Sequence, residues 1–183
     1  MDRRDSWRRT EAGFTMVATM ASLVIAAALV ALVLTSTLSS HGKAQTGTAN
    51  APGVGLADSL QAQQALSTSL TAATTAVSGG GDYSTITTDV LSASNPSITY
   101  VNGPSSSSSV VSVATSSATA SVTLVVRSAG GTCWVAWTGT GGTWYGAQTN
   151  QSSCTAPSLD VAPVASPVSA TAIGWQRNGF PAG

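Results

Sequence analysis

Two cysteines, one histidine and a few scattered acids carry whatever side-chain chemistry this 183-residue sequence can do. Cys133 and Cys154 are not at CxxC spacing and have no histidine beside them, which argues against a redox or metal pair. In an oxidising compartment two such cysteines most simply join as a disulfide. Closing the intervening loop stabilises a fold by about 3 kcal/mol in the chain-entropy view. His41 stands alone, and a general base needs a positioned partner, so it reads as a solvated side chain. No serine lies in a GxSxG turn and no glycine run has the form of a phosphate loop. No catalytic residue, metal or cofactor is therefore expected, and the chain does not read as an enzyme. Asn150-Gln-Ser152 matches the glycosylation sequon, a short pattern with a high chance rate.

The aromatic residues offer a second kind of chemistry. Trp134, Trp137, Trp144, Tyr145 and Trp175 cluster in the last third of the chain. On a strand Trp134 and Trp137 fall on opposite faces, so they cannot form one platform. Two readings stand: packing of a small core, which aromatics dominate, or a surface patch for carbohydrate or adhesion at Trp144 and Tyr145.

Only 8% of the residues are charged, with seven bases balancing seven acids; soluble domains average about 25%. Ser and Thr number 28 and 25, so hydroxyls supply the hydrophilicity. Beyond residue 13 the only cations are Lys43, Arg127 and Arg177. That excludes direct nucleic-acid binding, which needs a basic patch to release counterions.

The elements that position these groups begin with a segment of different texture. Arg3, Arg4, Arg8 and Arg9 crowd the first nine positions with Asp2 and Asp5, and Glu11 follows. Phe14 to Leu38 then runs for 25 residues without charge, Pro or Gly. As a helix it spans roughly 37 Å, enough to cross a hydrocarbon core of about 30 Å. The preceding arginines orient it with the N-terminus in the cytoplasm and the rest outside. A secretory signal is excluded, because its apolar region is shorter and ends at a small-x-small site. Ala18, Ser22 and Ala26 form a small-residue stripe along this helix.

Glu11-Ala-Gly-Phe-Thr-Met-Val17 sets a glycine between the basic leader and the first apolar residue. This boundary resembles the class III signal of type IV pilins and pseudopilins. The resemblance implies cleavage by a prepilin peptidase between Gly13 and Phe14, with Phe14 as the N-methylated mature terminus. The family generally carries Glu at the fifth mature position, where this chain has Ala18. The substitution avoids burying an acid in lipid, roughly 2.5–3.5 kcal/mol on insertion scales, and it removes an assembly contact. Members without that Glu are typically minor subunits, notably at a filament tip. The family also commonly staples its distal region with a disulfide, which Cys133 and Cys154 would match.

Residues 39–57, rich in Gly, Ser, Thr and Ala, read as a flexible linker. An amphipathic helix is expected over 58–78, capped by Asp58 with Gln61 as reciprocal partner. Leu66, Leu70, Ala73 and Val77 line its buried face, and Gly79-Gly80-Gly81 ends it. A β-rich head spans 82–157. Its expected strands are Ser97–Val101, Val110–Val113, Ser121–Arg127, Thr132–Thr138 and Thr143–Gln148. Ser105 to Ser109 read as a flexible link, and Gly139-Thr-Gly-Gly142 as a four-residue hairpin loop. The tail, 158–183, is expected to be extended, anchored by Trp175 and Phe180. The fold class is α+β: a long N-terminal membrane helix, then a second helical segment packed on a small antiparallel sheet.

The expected role is a structural subunit of a type IV pilus-like filament, matured after the 1–13 leader and assembled through the apolar helix 14–38. Its partners would be the prepilin peptidase, other pilin subunits, an inner-membrane assembly platform and membrane lipid. Its place would be the cytoplasmic membrane and then an extracellular filament. Two alternatives stay open: a pseudopilin of a type II secretion or DNA-uptake machine, and a plain single-pass anchored binding or adhesion module.

Overall fold

A computed structural model describes residues 52–182, with side chains from residue 55. The leader, the apolar segment 14–38, the Gly13/Phe14 boundary, Ala18 and His41 lie outside the described residues. Within them, no helix is long and apolar enough to cross a membrane.

Helix α1 runs Pro52–Val77, so it begins six positions before the expected start at Asp58 and takes in part of the expected linker. Proline is tolerated in a first helical turn, where its missing N–H has no partner to lose. Asp58 therefore does not cap the helix. It sits inside it, and its carboxylate accepts the backbone N–H of Ala129 in a distant loop. The expected face is the one that packs: Leu66, Leu70 and Ala73 are buried with Ala62, Ala65 and Ala72, and Val77 packs against them half-buried. Burying a leucine fully is worth roughly 1.5–3 kcal/mol. The helix stops because Gly80 takes the left-handed φ of +102° while its N–H bonds the Val77 carbonyl at 3.0 Å.

Two short elements follow that the hydrophobic period does not announce. A 3-10 turn at Tyr83–Thr85 is capped by Asp82, and α2, Thr88–Ser94, by Thr87. Side-chain oxygens accepting backbone N–H groups set both starts. Seven residues are too few to show a helical repeat, and Leu91 alone is buried from α2.

The strands β1 (Thr99–Val101), β2 (Val110–Ser116), β3 (Ser121–Arg127), β4 (Cys133–Gly139), β5 (Gly142–Gln148) and β6 (Gly174–Gln176) form one sheet in sequence order. The α+β class stands, but the sheet is mixed and not antiparallel throughout, because β1 runs parallel to β2. A connection of eight residues suffices to return the chain because β1 is only three residues long. That connection is the serine run, and it is not a flexible link. Ser105 is buried, its N–H bonds the Cys154 carbonyl at 2.8 Å, and its hydroxyl donates to the Val110 carbonyl at 2.6 Å and accepts the Arg127 N–H at 2.9 Å. The β4–β5 loop is two residues rather than four, since Gly139 and Gly142 pair. Gly142 rejoins the ladder with φ +94°, a conformation open to glycine.

Both faces of the sheet are covered, which is why β4 is buried along its whole length. On one face Val122, Leu124, Val126, Trp134 and Ala136 meet α1. On the other, Val125, Val135 and the two cysteines lie under the segment from Cys154 through Ile173 to Trp175. This returning strap is tied down by hydroxyls. Ser112 accepts the Ala156 N–H at 2.9 Å, Ser158 donates to the Thr115 carbonyl at 2.8 Å, and Thr119 donates to the Leu159 carbonyl at 2.8 Å.

Candidate functional site

Three side-chain groupings could carry function, and the sequence named parts of each. The first is the cysteine pair. Cys133 opens β4 and Cys154 opens the strap; their Cα atoms are 5.4 Å apart and the sulfurs are bonded. Both are buried, and no group of three His, Cys, Asp or Glu side chains that could hold a metal is found among the described residues. The disulfide is a staple between the sheet and the strap.

The second grouping is the β4–β5 hairpin. Trp144 and Tyr145 do not make a shared patch. They are neighbours on one strand, so their rings leave opposite faces of the sheet. Trp144 is buried, and the Arg177 guanidinium covers its ring at 4.4 Å from the centroid while Nη1 donates to the Gly141 carbonyl at 3.4 Å. Such cation–π contacts contribute about 0.5–1 kcal/mol at exposed sites. The indole N–H of Trp144 is buried without a hydrogen-bond partner among the described residues, as is that of Trp134. Trp137, on the same face as Trp144, donates its indole N–H to Ser121 at 3.0 Å. Sequence reasoning missed Arg177, whose 33-residue separation from Trp144 carries no local signal.

The third grouping lies on the helix side. Tyr145 is half-buried, edge-on to Phe180 at 4.9 Å, and Phe180 in turn meets Trp134 at 5.9 Å. The tail thus anchors on both faces, Phe180 against Trp134 and Tyr145 on the helix side and Trp175 against the disulfide side. Between β5 and α1 a groove of about 410 Å³ opens, with Thr143 and Tyr145 on one wall and Ser67, Thr71, Thr74 and Thr75 on the other. These hydroxyls were hidden from sequence reasoning by the chain's general richness in Ser and Thr. Their signal is the repeat of Ser67, Thr71 and Thr75 every fourth residue, one ridge along α1.

Electrostatics at these places is weak. Asp82 is held below the ordinary carboxylate range by the Ser84 hydroxyl and backbone N–H. Tyr100 is raised above its ordinary value by burial. Because Ser69 donates its own proton to the Ala65 carbonyl at 2.7 Å, the Tyr100 hydroxyl must be the donor across the 3.1 Å contact.

No family model, curated protein or solved structure matches this chain.

Proposed function

We propose that this chain is a structural subunit of a type IV pilus-like surface filament, stored in the cytoplasmic membrane and matured by a prepilin peptidase. The observation that carries the reading is the boundary Glu11-Ala-Gly-Phe-Thr-Met-Val17 between four arginines and an uncharged run to Leu38. Cleavage after Gly13 would leave Phe14 as the methylated terminus, and the apolar segment would pack with other subunits as the filament core. Two features of the described residues support it: a helix that precedes and packs on a sheet, and a disulfide that staples the distal region. Ala18 favours a minor or tip subunit, since a major subunit needs the carboxylate contact there. The described head adds Arg127 and Arg177 as its cations, too few for a basic patch that grips DNA.

Mass spectrometry of the membrane-extracted protein tests the proposal. The expected mass is that of a chain beginning at N-methylated Phe14, and Gly13→Leu is expected to accumulate the precursor. An intact Met1, or a terminus near residue 40, overturns the filament reading in favour of a simple anchored module.

A further inference from the structure

We infer that the groove between α1 and β5 binds a neutral saccharide. The helix hydroxyls of the groove have already placed their protons. Along α1 each groove hydroxyl donates to the carbonyl four residues back: Ser67 to Gln63 at 3.0 Å, Thr71 to Ser67 at 3.0 Å, Thr74 to Leu70 at 2.9 Å and Thr75 to Thr71 at 2.8 Å. Across the groove Thr143 shares a hydrogen bond with Thr138 at 3.1 Å. A serine or threonine has one proton to give and two lone pairs to offer. With their protons committed to the backbone, the Oγ atoms of Ser67, Thr71, Thr74 and Thr75 face the groove as acceptors.

A row of acceptors selects a ligand that brings donors. No charged side chain lines the groove, so an ammonium group finds no Coulombic partner and an anion finds no cation. A polyhydroxylated, uncharged ligand supplies what the wall lacks.

The second wall supplies a surface for the rest of such a ligand. Tyr145 presents an apolar ring with a polar tip, braced by Phe180, and its phenol makes no hydrogen bond among the described residues. A pyranose has the matching pair of features, an apolar C–H face and a rim of hydroxyls. The groove, about 410 Å³ in volume, is open to solvent, and Ser67, Thr71, Thr74 and Thr75 are all exposed along it. The molecule also holds its own control. On the other side of the same ridge a groove of about 420 Å³ shares Ser67, Thr71 and Thr75 but is closed by Thr68, Ser94 and Asn95, with no aromatic wall.

Saturation-transfer NMR on the full-length protein, in a zwitterionic detergent without sugar headgroups, tests the site whether or not the filament reading holds. The probes are cellobiose, lactose, maltose and N-acetyllactosamine, each at about 10 mM to detect millimolar Kd. Transfer to at least one disaccharide is expected. Tyr145→Ala is expected to abolish it. Tyr145→Phe, which keeps the packing on Phe180, and the isosteric Thr74→Val should each weaken binding roughly two- to tenfold, the worth of one hydrogen bond. Thr68→Val and Ser94→Ala, in the sister groove, should leave it unchanged. No transfer from any of the four sugars overturns the inference. So does transfer that survives Tyr145→Phe and Thr74→Val at full strength, or that fails in the sister-groove variants.

Discussion

Replacing both cysteines, Cys133→Ala with Cys154→Ala, tests how the strap is held. The disulfide closes a loop across a separation of 21 residues, which in the chain-entropy model removes freedom from the unfolded chain worth about 3 kcal/mol. Both side chains are buried, 4% and 2% exposed, so the truncations also leave two sulfur-sized voids at about 1 kcal/mol each. The sum is roughly 5 kcal/mol, and at about 3–4 °C per kcal/mol for a domain of this size the melting temperature falls by roughly 15–20 °C. The folded structure itself should survive. The Ser105–Cys154 backbone bond and the Ser112, Ser158 and Thr119 ties do not involve sulfur, so the strap stays docked below the transition. Near-UV circular dichroism reads both quantities, since Trp137 and Trp175 lie on the strap face of the sheet. A native spectrum with a much lower midpoint is the expected result. A midpoint within a few degrees of the wild type refutes the entropic account, and a native spectrum already lost at room temperature refutes the claim that hydroxyls hold the strap.

Gly174→Ala should peel β6 from the sheet, because an added Cβ would lie 2.3 Å from the Val168 nitrogen and 2.4 Å from the Pro167 carbonyl carbon; amide hydrogen exchange should rise at Tyr145 and Ala147, which face β6, and at Trp175, which bonds the Ser166 carbonyl, while β2 to β4 stay protected. Ser121→Ala strands the indole N–H of Trp137, a residue only 1% exposed, and should cost about 1–3 kcal/mol, read as a lower urea midpoint. Tyr100 has a folded-state value raised above its unfolded value of 10.0, so the native state keeps its proton longer. Stability from this group is complete below about pH 10 and falls as pH rises towards the raised value. Tyr100→Phe should remove that alkaline decline, measured by urea denaturation at several pH values, at the cost of about 1 kcal/mol for the lost bond to Ser69.

Much of the architecture was legible because it rests on periodicity. Leu66, Leu70 and Ala73 repeat at helical spacing and are buried together; Val122, Leu124 and Val126 alternate and share a face. The two cysteines, in a chain with no competing ligand set, left pairing as the simplest outcome. What was not legible depends on contacts distant in sequence. Asp58 had the form of a helix cap, yet its partner is the N–H of Ala129, 71 residues away. The parallel pairing of β1 with β2 follows from where the serine loop is tied, and that tie is made to Cys154 and Arg127. Trp144 and Tyr145 were taken together because they adjoin in sequence, although adjacency on a strand separates them. The groove hydroxyls were lost among 53 Ser and Thr residues, and only the helix register and the approach of β5 select five of them.

The scarcity of charge and the abundance of hydroxyls are two sides of one construction. In this head Ser and Thr do work that other proteins assign to ladders or ion pairs. Ser69, Ser105, Ser112, Ser121 and Thr123 are almost fully buried, where an unpaired hydroxyl would be costly. Four of them are hydrogen-bonded through their side chains: Ser69 to Tyr100, Ser105 to Val110 and Arg127, Ser112 to Ala156, and Ser121 to Trp137. Serine-rich sequence therefore does not equal linker here. A buried serine with both a donor and an acceptor partner fixes the chain as firmly as a turn, and it does so without a charge to desolvate. The surface consequence follows from the same chemistry. Hydroxyls that spend their protons on their own helix leave a neutral acceptor surface, insensitive to salt because there is little to screen. Such a surface repels neighbouring copies weakly through charge and offers them few donors.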